Sequence, residues 1–259
     1  MILDATGLPF ILRKNVEEEK MKKIVFIAWG FLTSILFILP FQECNAGVVI
    51  EQVVKDRDGK ASKVFLYFSM ERMRTDDGGS GLTTIIDFKD DRLVMIDHRS
   101  KSYVETKLSQ WEKEVSKRLK KEKPGIKPKA KKIVVTKTGE TAIINGFRTE
   151  KIQILADGEL IEENWVTRDM DMGEIGKVMD RVAQGFSKEF RLEMKEGREI
   201  YEKLKPYGFP ILIKDYTITH GLGTMDVLEV KKWEQKELRE DIFLPPGDYK
   251  KIVPQPSKR

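Results

Sequence analysis

Along residues 48–106 apolar and polar positions alternate in short runs divided by turn-forming residues. A side chain that changes face at every residue marks a β-strand, so strands are expected at 48–55, 63–73, 82–88, 92–97 and 102–106. The connections carry Asp58-Gly59, the cluster Gly78-Gly79-Ser80-Gly81, Asp90-Asp91 and Arg99-Ser100-Lys101. These residue types supply the backbone conformations of tight turns. Closely spaced strands of this kind predict a meandering antiparallel sheet.

The alternation is not the clean one of a sheet with a single wet face. In 63–73, Val64, Leu66, Phe68 and Met70 point one way while Phe65 and Tyr67 point the other; in 92–97, Leu93 and Met95 oppose Val94 and Ile96. An antiparallel sheet open to water on one side should be apolar on the other side only. Both faces of this sheet therefore need cover.

Past Lys107 the period changes. Leu108, Trp111, Val115 and Leu119 recur at steps of three and four, the spacing of one helix face, and the pattern stops before Pro124-Gly125. The lysine-rich run 120–132 (KKEKPGIKPKAKK) reads as a solvated linker, or else as a contact for acidic lipid head groups at a membrane surface. Strands resume at 133–137, 146–156 and 160–167, the last two joined by the hairpin signal Asp157-Gly158. One long helix is expected over 172–204, where Ile175, Met179, Val182, Phe186 and Phe190 form a single apolar stripe. Strands at 211–219 and 223–233 precede a terminal segment from Glu237, whose Phe243, Leu244, Pro245, Pro246, Gly247 and Tyr249 predict docking onto the fold.

A curved sheet wrapped around such helices has a concave apolar side, and pockets of that kind take small apolar ligands. By strand parity and helix stripe, Phe65, Tyr67, Ile85, Met95, Ile154, Met179, Val182 and Phe186 are the candidates for lining it. The competing expectation is a concavity filled by the helices themselves. Arg72 and Arg74, two apart on one strand, share a face and form a candidate site for an anionic head group. The alternative for both is pairing with Asp76 or Asp77.

The N-terminal region has a different pattern. Lys22 and Lys23 are followed by an apolar run over 24–39, then Pro40, Cys44 and Ala46. A basic start, an apolar middle and small residues at the cut define a signal peptide, so cleavage is expected after Ala46, with Met21 as initiator and residues 1–20 as an upstream extension. An uncleaved membrane anchor is the alternative. Acylation at Cys44 is disfavoured by the preceding Phe41, Gln42 and Glu43. The portion from Gly47 onward holds no cysteine and keeps the net charge of +5, with signs interspersed. Its stability must come from burial, and no nucleic-acid partner is expected.

No reaction can be read from the residues. The two histidines, His98 and His220, lie in turns without a nucleophile elbow and read as surface turn residues; with no cysteine beside them they form no expected metal site. Asp169, Asp171 and Glu174 read as helix N-terminal charges. The glycine cluster at 78–81 lacks the lysine and hydroxyl residue of a phosphate loop. Neither catalytic residues nor a cofactor are expected.

The stretch from Lys63 to Tyr103, with TTIIDF and the turn Asp97-His98-Arg99-Ser100-Lys101-Ser102-Tyr103, resembles LolA-like exported bacterial proteins known only as a domain of unknown function. Thr138 to Thr141, Ile144-Asn145-Gly146-Phe147, Trp165-Val166 and Phe243 to Tyr249 extend the resemblance over most of the chain. It implies an α+β fold: a curved antiparallel half-barrel with helices on its concave face, as in the periplasmic lipoprotein carriers LolA and LolB. It also implies a single domain over 47–259, a periplasmic location in a Gram-negative cell envelope, and a lipid, acyl chain or acylated protein as cargo. The lysine-rich insertion and the long helix depart from those carriers. The rival expectation is a structural or sensor module that binds a protein through its sheet edge or its lysine-rich run.

Overall fold

A computed structural model describes residues 46–56, 58–69, 71–122, 131–170, 172–187, 192–216 and 226–253. The expected export segment, residues 123–130 of the lysine-rich run, Phe190 and His220 lie outside these residues. Twelve strands form one curved, open sheet. The first six are β1 (Ala46–Lys55), β2 (Ala61–Ser69), β3 (Arg72–Asp77), β4 (Leu82–Asp87), β5 (Arg92–Asp97) and β6 (Ser102–Lys107). After helix α1 (Leu108–Glu122) come β7 (Ile133–Ile144), β8 (Phe147–Ala156) and β9 (Glu159–Thr167). Helices α2 (Gly173–Ser187) and α3 (Leu192–Leu204) precede β10 (Phe209–Asp215), β11 (Asp226–Glu237) and the short β12 (Lys250–Lys251).

The spatial order is β12-β6-β5-β4-β3-β2-β1-β11-β10-β9-β8-β7. Every pairing is antiparallel except that of β12, which lies parallel to β6. β1 is the seam: the meander β2 to β6 grows from one side of it, and β11 closes its other side. The hairpins at Asn145-Gly146 and Asp157-Gly158 have two-residue loops with positive φ at both positions, the geometry that matches strand twist.

Curvature shows in one contact. The Asn145 side chain, at the tip of the β7–β8 hairpin, donates to the Val230 carbonyl on β11 at 2.7 Å. In a flat sheet β8 and β11 would stand roughly 14 Å apart. The hairpin folds over, and Ile144 and Phe147 pack into the same apolar cluster as Ile50, Leu66 and Met179. Register shifts in β1–β11, β7–β8, β8–β9 and β9–β10 bend the strands that must curl.

Three elements differ from the sequence pattern. The expected strand 63–73 is a hairpin, since Ser69 pairs with Arg72 and the chain reverses between them. No Gly, Pro, Asn or Asp marks that turn. The expected single helix over 172–204 is two helices folded back on each other. The Tyr201 hydroxyl donates to Asp180 at 2.7 Å, and the same carboxylate accepts from Lys205 at 3.0 Å. In one continuous helix Asp180 and Tyr201 would be separated by about 31 Å. The expected strand 133–137 also runs on to Ile144.

Helix α1 starts on a borrowed cap. Its first turn holds no acidic residue, but Asp91, from the β4–β5 turn, accepts from the Ser109 backbone N–H at 2.9 Å and from the Ser109 hydroxyl at 2.7 Å. These bonds hold the Asp91 carboxyl below its ordinary range and dock the helix to the sheet through its unsatisfied N-terminus.

Candidate functional site

The two faces of the sheet are covered differently. One face carries the helices. Val48, Ile50, Val64, Leu66, Phe68, Met73, Ile86, Leu93, Phe209, Ile211 and Val230 form its floor, and Leu108, Val115, Ile175, Val178, Met179 and Val182 from α1 and α2 lie on it. A second cluster, Ile133, Ile152, Ile154, Ala156 and Val166, lies under Ile200 and Leu204 of α3. This apolar floor crosses the sheet from β5 to β7.

The other face carries the C-terminal segment. Phe243, 1% exposed, packs on Ile85, Val94 and Ile96, with Tyr67, Tyr103, Leu238, Ile242 and Tyr249 around it. Polar bonds fix the segment in place. Arg72 pairs with Glu240 and lies over the Phe243 ring at 5.0 Å. Arg74 reaches the Ile242 carbonyl at 2.5 Å and Asp76 at 2.8 Å. Arg92 donates to the Phe243 carbonyl at 3.0 Å. The Glu240 bond holds the Arg72 guanidinium more firmly protonated than usual.

The sequence candidates therefore divide. Met95, Met179 and Val182 meet in the cluster under the helices, and Ile154 joins the cluster under α3. Tyr67 and Ile85 lie on the opposite face under the C-terminal segment, and Phe65 shares the parity of Tyr67 on β2. These three cannot line one space with the others. Phe186 belongs to α2, and its side chain is outside the described positions. Arg72 and Arg74 do share a face, but what they hold is the chain's own tail.

His98 is not the surface turn residue expected from its neighbours. It is half-buried, with Nε2 at 2.8 Å from the Thr83 hydroxyl and Nδ1 at 2.9 Å from the Tyr249 hydroxyl. The Thr83 hydroxyl donates to Asp76 at 2.5 Å. A threonine whose proton is committed to a carboxylate accepts from the imidazole rather than donating to it. This chain of bonds ties Tyr249 to the sheet and does not activate a nucleophile.

Three polar side chains on the helix-bearing face were not singled out by the sequence. Glu162, Asn164 and Gln52 are 5%, 0% and 3% exposed. Glu162 and Asn164 sit opposite Ile154 and Ile152 on β8, and opposite Asp215 and Ile213 on β10. Asn164 Nδ2 donates to Glu162 Oε2 at 3.1 Å. Asn164 Oδ1 and Gln52 Nε2 have no hydrogen-bond partner among the described residues. Each such atom costs about 1–3 kcal/mol. Burial first, and the nearby Asp215 second, push the Glu162 carboxyl up to about 8. The available signal was the parity of β9, where Glu162 and Asn164 alternate in step with Val166.

Glu163, on the reverse face of the same strand, behaves oppositely. Burial would raise its carboxyl, but bonds from Lys151 at 2.8 Å, Tyr216 at 2.7 Å and Gln153 at 3.2 Å hold it at about 2. Its neighbour Tyr216 is pushed up to about 12 by burial and by that carboxylate. Among the described residues no three His, Cys, Asp or Glu side chains converge as a metal cluster would require.

An uncharacterized conserved protein from Thermus thermophilus superposes with a TM-score of 0.44 at 11% identity, covering 80% of this chain and 90% of its own. A LolA superfamily protein from Nitrosomonas europaea gives 0.29 at 9% identity, covering 84% and 96%. MucB in complex with MucA(peri) gives 0.36 at 9% identity, covering 80% of this chain and 57% of that one. No functionally curated protein matches the sequence. A family model does match, over residues 47–249, and the chain belongs to the family described as Domain of unknown function (DUF4412).

Proposed function

We propose that this is an exported, non-catalytic carrier of the cell envelope. It shelters an acyl chain, a lipid or a lipidated protein between the curled sheet and its helices, in the manner of a LolA-like half-barrel. The helix-bearing face is the inner, concave one, and the periplasm is the compartment. One observation carries the reading: the inner floor is apolar from β5 to β7, and among the described residues its main cover is three separate helices that lay apolar side chains on it and are tied to the sheet by single bonds such as Arg181 to Glu71 and Lys203 to the Ile133 carbonyl. Non-directional apolar contacts can be exchanged for an acyl chain, which recovers about 0.8 kcal/mol per buried methylene. No reactive group is needed for this task.

Native mass spectrometry of the protein purified from its host tests the proposal. Co-purifying lipid, or saturable uptake of a fluorescent fatty acid by the stripped protein, is the expected result. Absence of both overturns it.

One observation favours a second reading, a module that docks a protein partner. β7 is the last strand of the sheet and is 12 residues long, and Ile143 on it is 76% exposed. An open edge of that length can take an added strand. Crosslinks from β7 to a partner, with no bound lipid, would favour it.

A further inference from the structure

The sheet does not support the β7–β8 hairpin to its end. β8 pairs with β9 only from Glu150 onward, where Glu150 meets Val166, whereas its pairing with β7 continues past Thr141 and Glu150 to Ile144 and Phe147. Residues 142–149 are therefore a two-stranded overhang, and a hairpin of two strands is marginally stable by itself. The base of the overhang is irregular. Between the pairs Lys137–Ile152 and Thr141–Glu150 the chain advances four residues on β7 and two on β8, and Gly139 inside this bulge has a φ of 81°. The Thr138 hydroxyl bridges the gap, donating to the Lys151 carbonyl at 3.2 Å and accepting from the Glu140 backbone N–H at 3.1 Å. A bulge interrupts the ladder and bends the strand, so this line is where the overhang can turn.

Few contacts hold the overhang down. Asn145 Nδ2 donates to the Val230 carbonyl at 2.7 Å and to the Glu229 carboxylate at 2.9 Å, both on β11. Arg148 pairs at 2.6 Å with Asp169, beyond the end of β9, and its side chain is 83% exposed; ion pairs so exposed to water contribute little. Beneath the tip, the half-buried Ile144 and Phe147 pack on the inner apolar cluster, which holds Val230 and on which Leu228 and Trp233 also pack. The tip thus lies on apolar floor.

We infer that residues 142–149 form a flap over the inner floor, hinged at the bulge 138–140 and latched by Asn145, and that an acyl chain enters and leaves beneath it. The inference rests on the carrier reading and adds the route to its site. Lifting the flap breaks the two Asn145 bonds and one surface ion pair, and leaves the β8–β9 ladder from Glu150 onward intact. It withdraws Ile144 and Phe147 from the floor, and an acyl chain can bury the apolar surface they leave.

The test uses the full, lipid-stripped protein and a fluorescent fatty acid, cis-parinaric acid, mixed by stopped flow. Asn145 has a φ of 50°, so Asn145→Gly keeps the turn and removes the latch. Uptake should be about fivefold faster than in the parent, the weight of one net hydrogen bond, with release to lipid vesicles quickened by the same factor and affinity kept within about twofold. Asn145→Asp, which also lacks the amide donor and sets a carboxylate beside Glu229, should act in the same direction. Amide hydrogen exchange gives a readout that a merely structural role would not move: it should quicken over 142–149 and stay as in the parent over 152–156. Parental uptake and release rates in both folded variants, or exchange that quickens alike over the two stretches, overturns the inference and leaves the carrier reading in place. Failure of the parent to bind the probe overturns both.

Discussion

The two faces of the sheet solve the same problem by different means. Each presents aromatic and aliphatic side chains that water must not reach. The outer face is sealed by the chain's own end, which is pinned by aimed contacts: Arg72 to Glu240, Arg74 and Arg92 to backbone carbonyls, His98 to Tyr249, and β12 against β6. The inner face is sealed by helices that lay a wide apolar surface on it and are pinned at few points, Ser109 to Asp91, Arg181 to Glu71 and Lys203 to the Ile133 carbonyl. Directional bonds hold one geometry, whereas apolar burial accepts any apolar occupant of suitable shape. The outer cover is therefore the fixed one, and the carrier proposal assigns exchange to the inner one.

The comparison can be broken most severely at Phe243. Phe243→Ala empties the centre of the outer cluster and should cost about 3–5 kcal/mol in a urea titration. Ligand uptake by the remaining folded protein should be unchanged. Loss of uptake in proportion to its loss of stability would mean that the two faces are not separable.

The inner face has a sharper probe in Glu162. Its folded carboxyl, at about 8, lies above the ordinary 4.5, so between those values the native state keeps a proton that the unfolded chain releases. Its contribution to stability then falls as pH rises from about 4.5 to 8, by about 1.4 kcal/mol per unit. Urea midpoints of Glu162→Gln across that window should lack this slope. A variant whose pH dependence parallels the parent's would remove the buried carboxyl from the account.

Glu163 on the reverse face runs with the opposite sign. Held at about 2 against an ordinary 4.5, it contributes stability that is complete above about 4.5 and is lost as pH falls toward 2. Lys151→Met should cost about 1.5–3 kcal/mol at neutral pH, and much less at pH 2. The smallest effect is expected at Arg72. Its partner Glu240 is 78% exposed, so Arg72→Ala should cost about 1 kcal/mol or less, measured by the same titration.

Much of this architecture could be read from residue order. Apolar residues on both parities of 63–69 and 92–97 announced that both faces needed cover, and Asp157-Gly158 announced its hairpin. The reversal between Ser69 and Arg72 was hidden because Met70 and Glu71 are not turn formers. The break between α2 and α3 was hidden because residues 188–191, KEFR, contain no Gly or Pro. The candidate lining residues failed to converge for a different reason. Parity within a strand says which residues share a face, but the phase between strands requires the register. Only the pairing of Tyr67 with Arg74, Arg74 with Ile85 and Ile85 with Val94 puts Tyr67 and Ile85 on the face away from Met95. Arg72 and Arg74 were legible as a pair on one face, and so was the pairing of Arg74 with Asp76, but Glu240 and the Ile242 carbonyl lie 168 residues further along the chain.

Two tryptophans report on the two faces directly. Trp233, opposite Ile50 on β1, packs at 5.8 Å from Phe209 in the inner cluster. Trp165, opposite Lys151, stands on the outer parity of β9. In proteins retaining one of these as the sole tryptophan, a fatty acid brominated along its chain should quench Trp233 in a saturable way and leave Trp165 bright. Quenching of Trp165 with Trp233 unaffected, or equal quenching of both, would contradict a ligand site on the helix-bearing face.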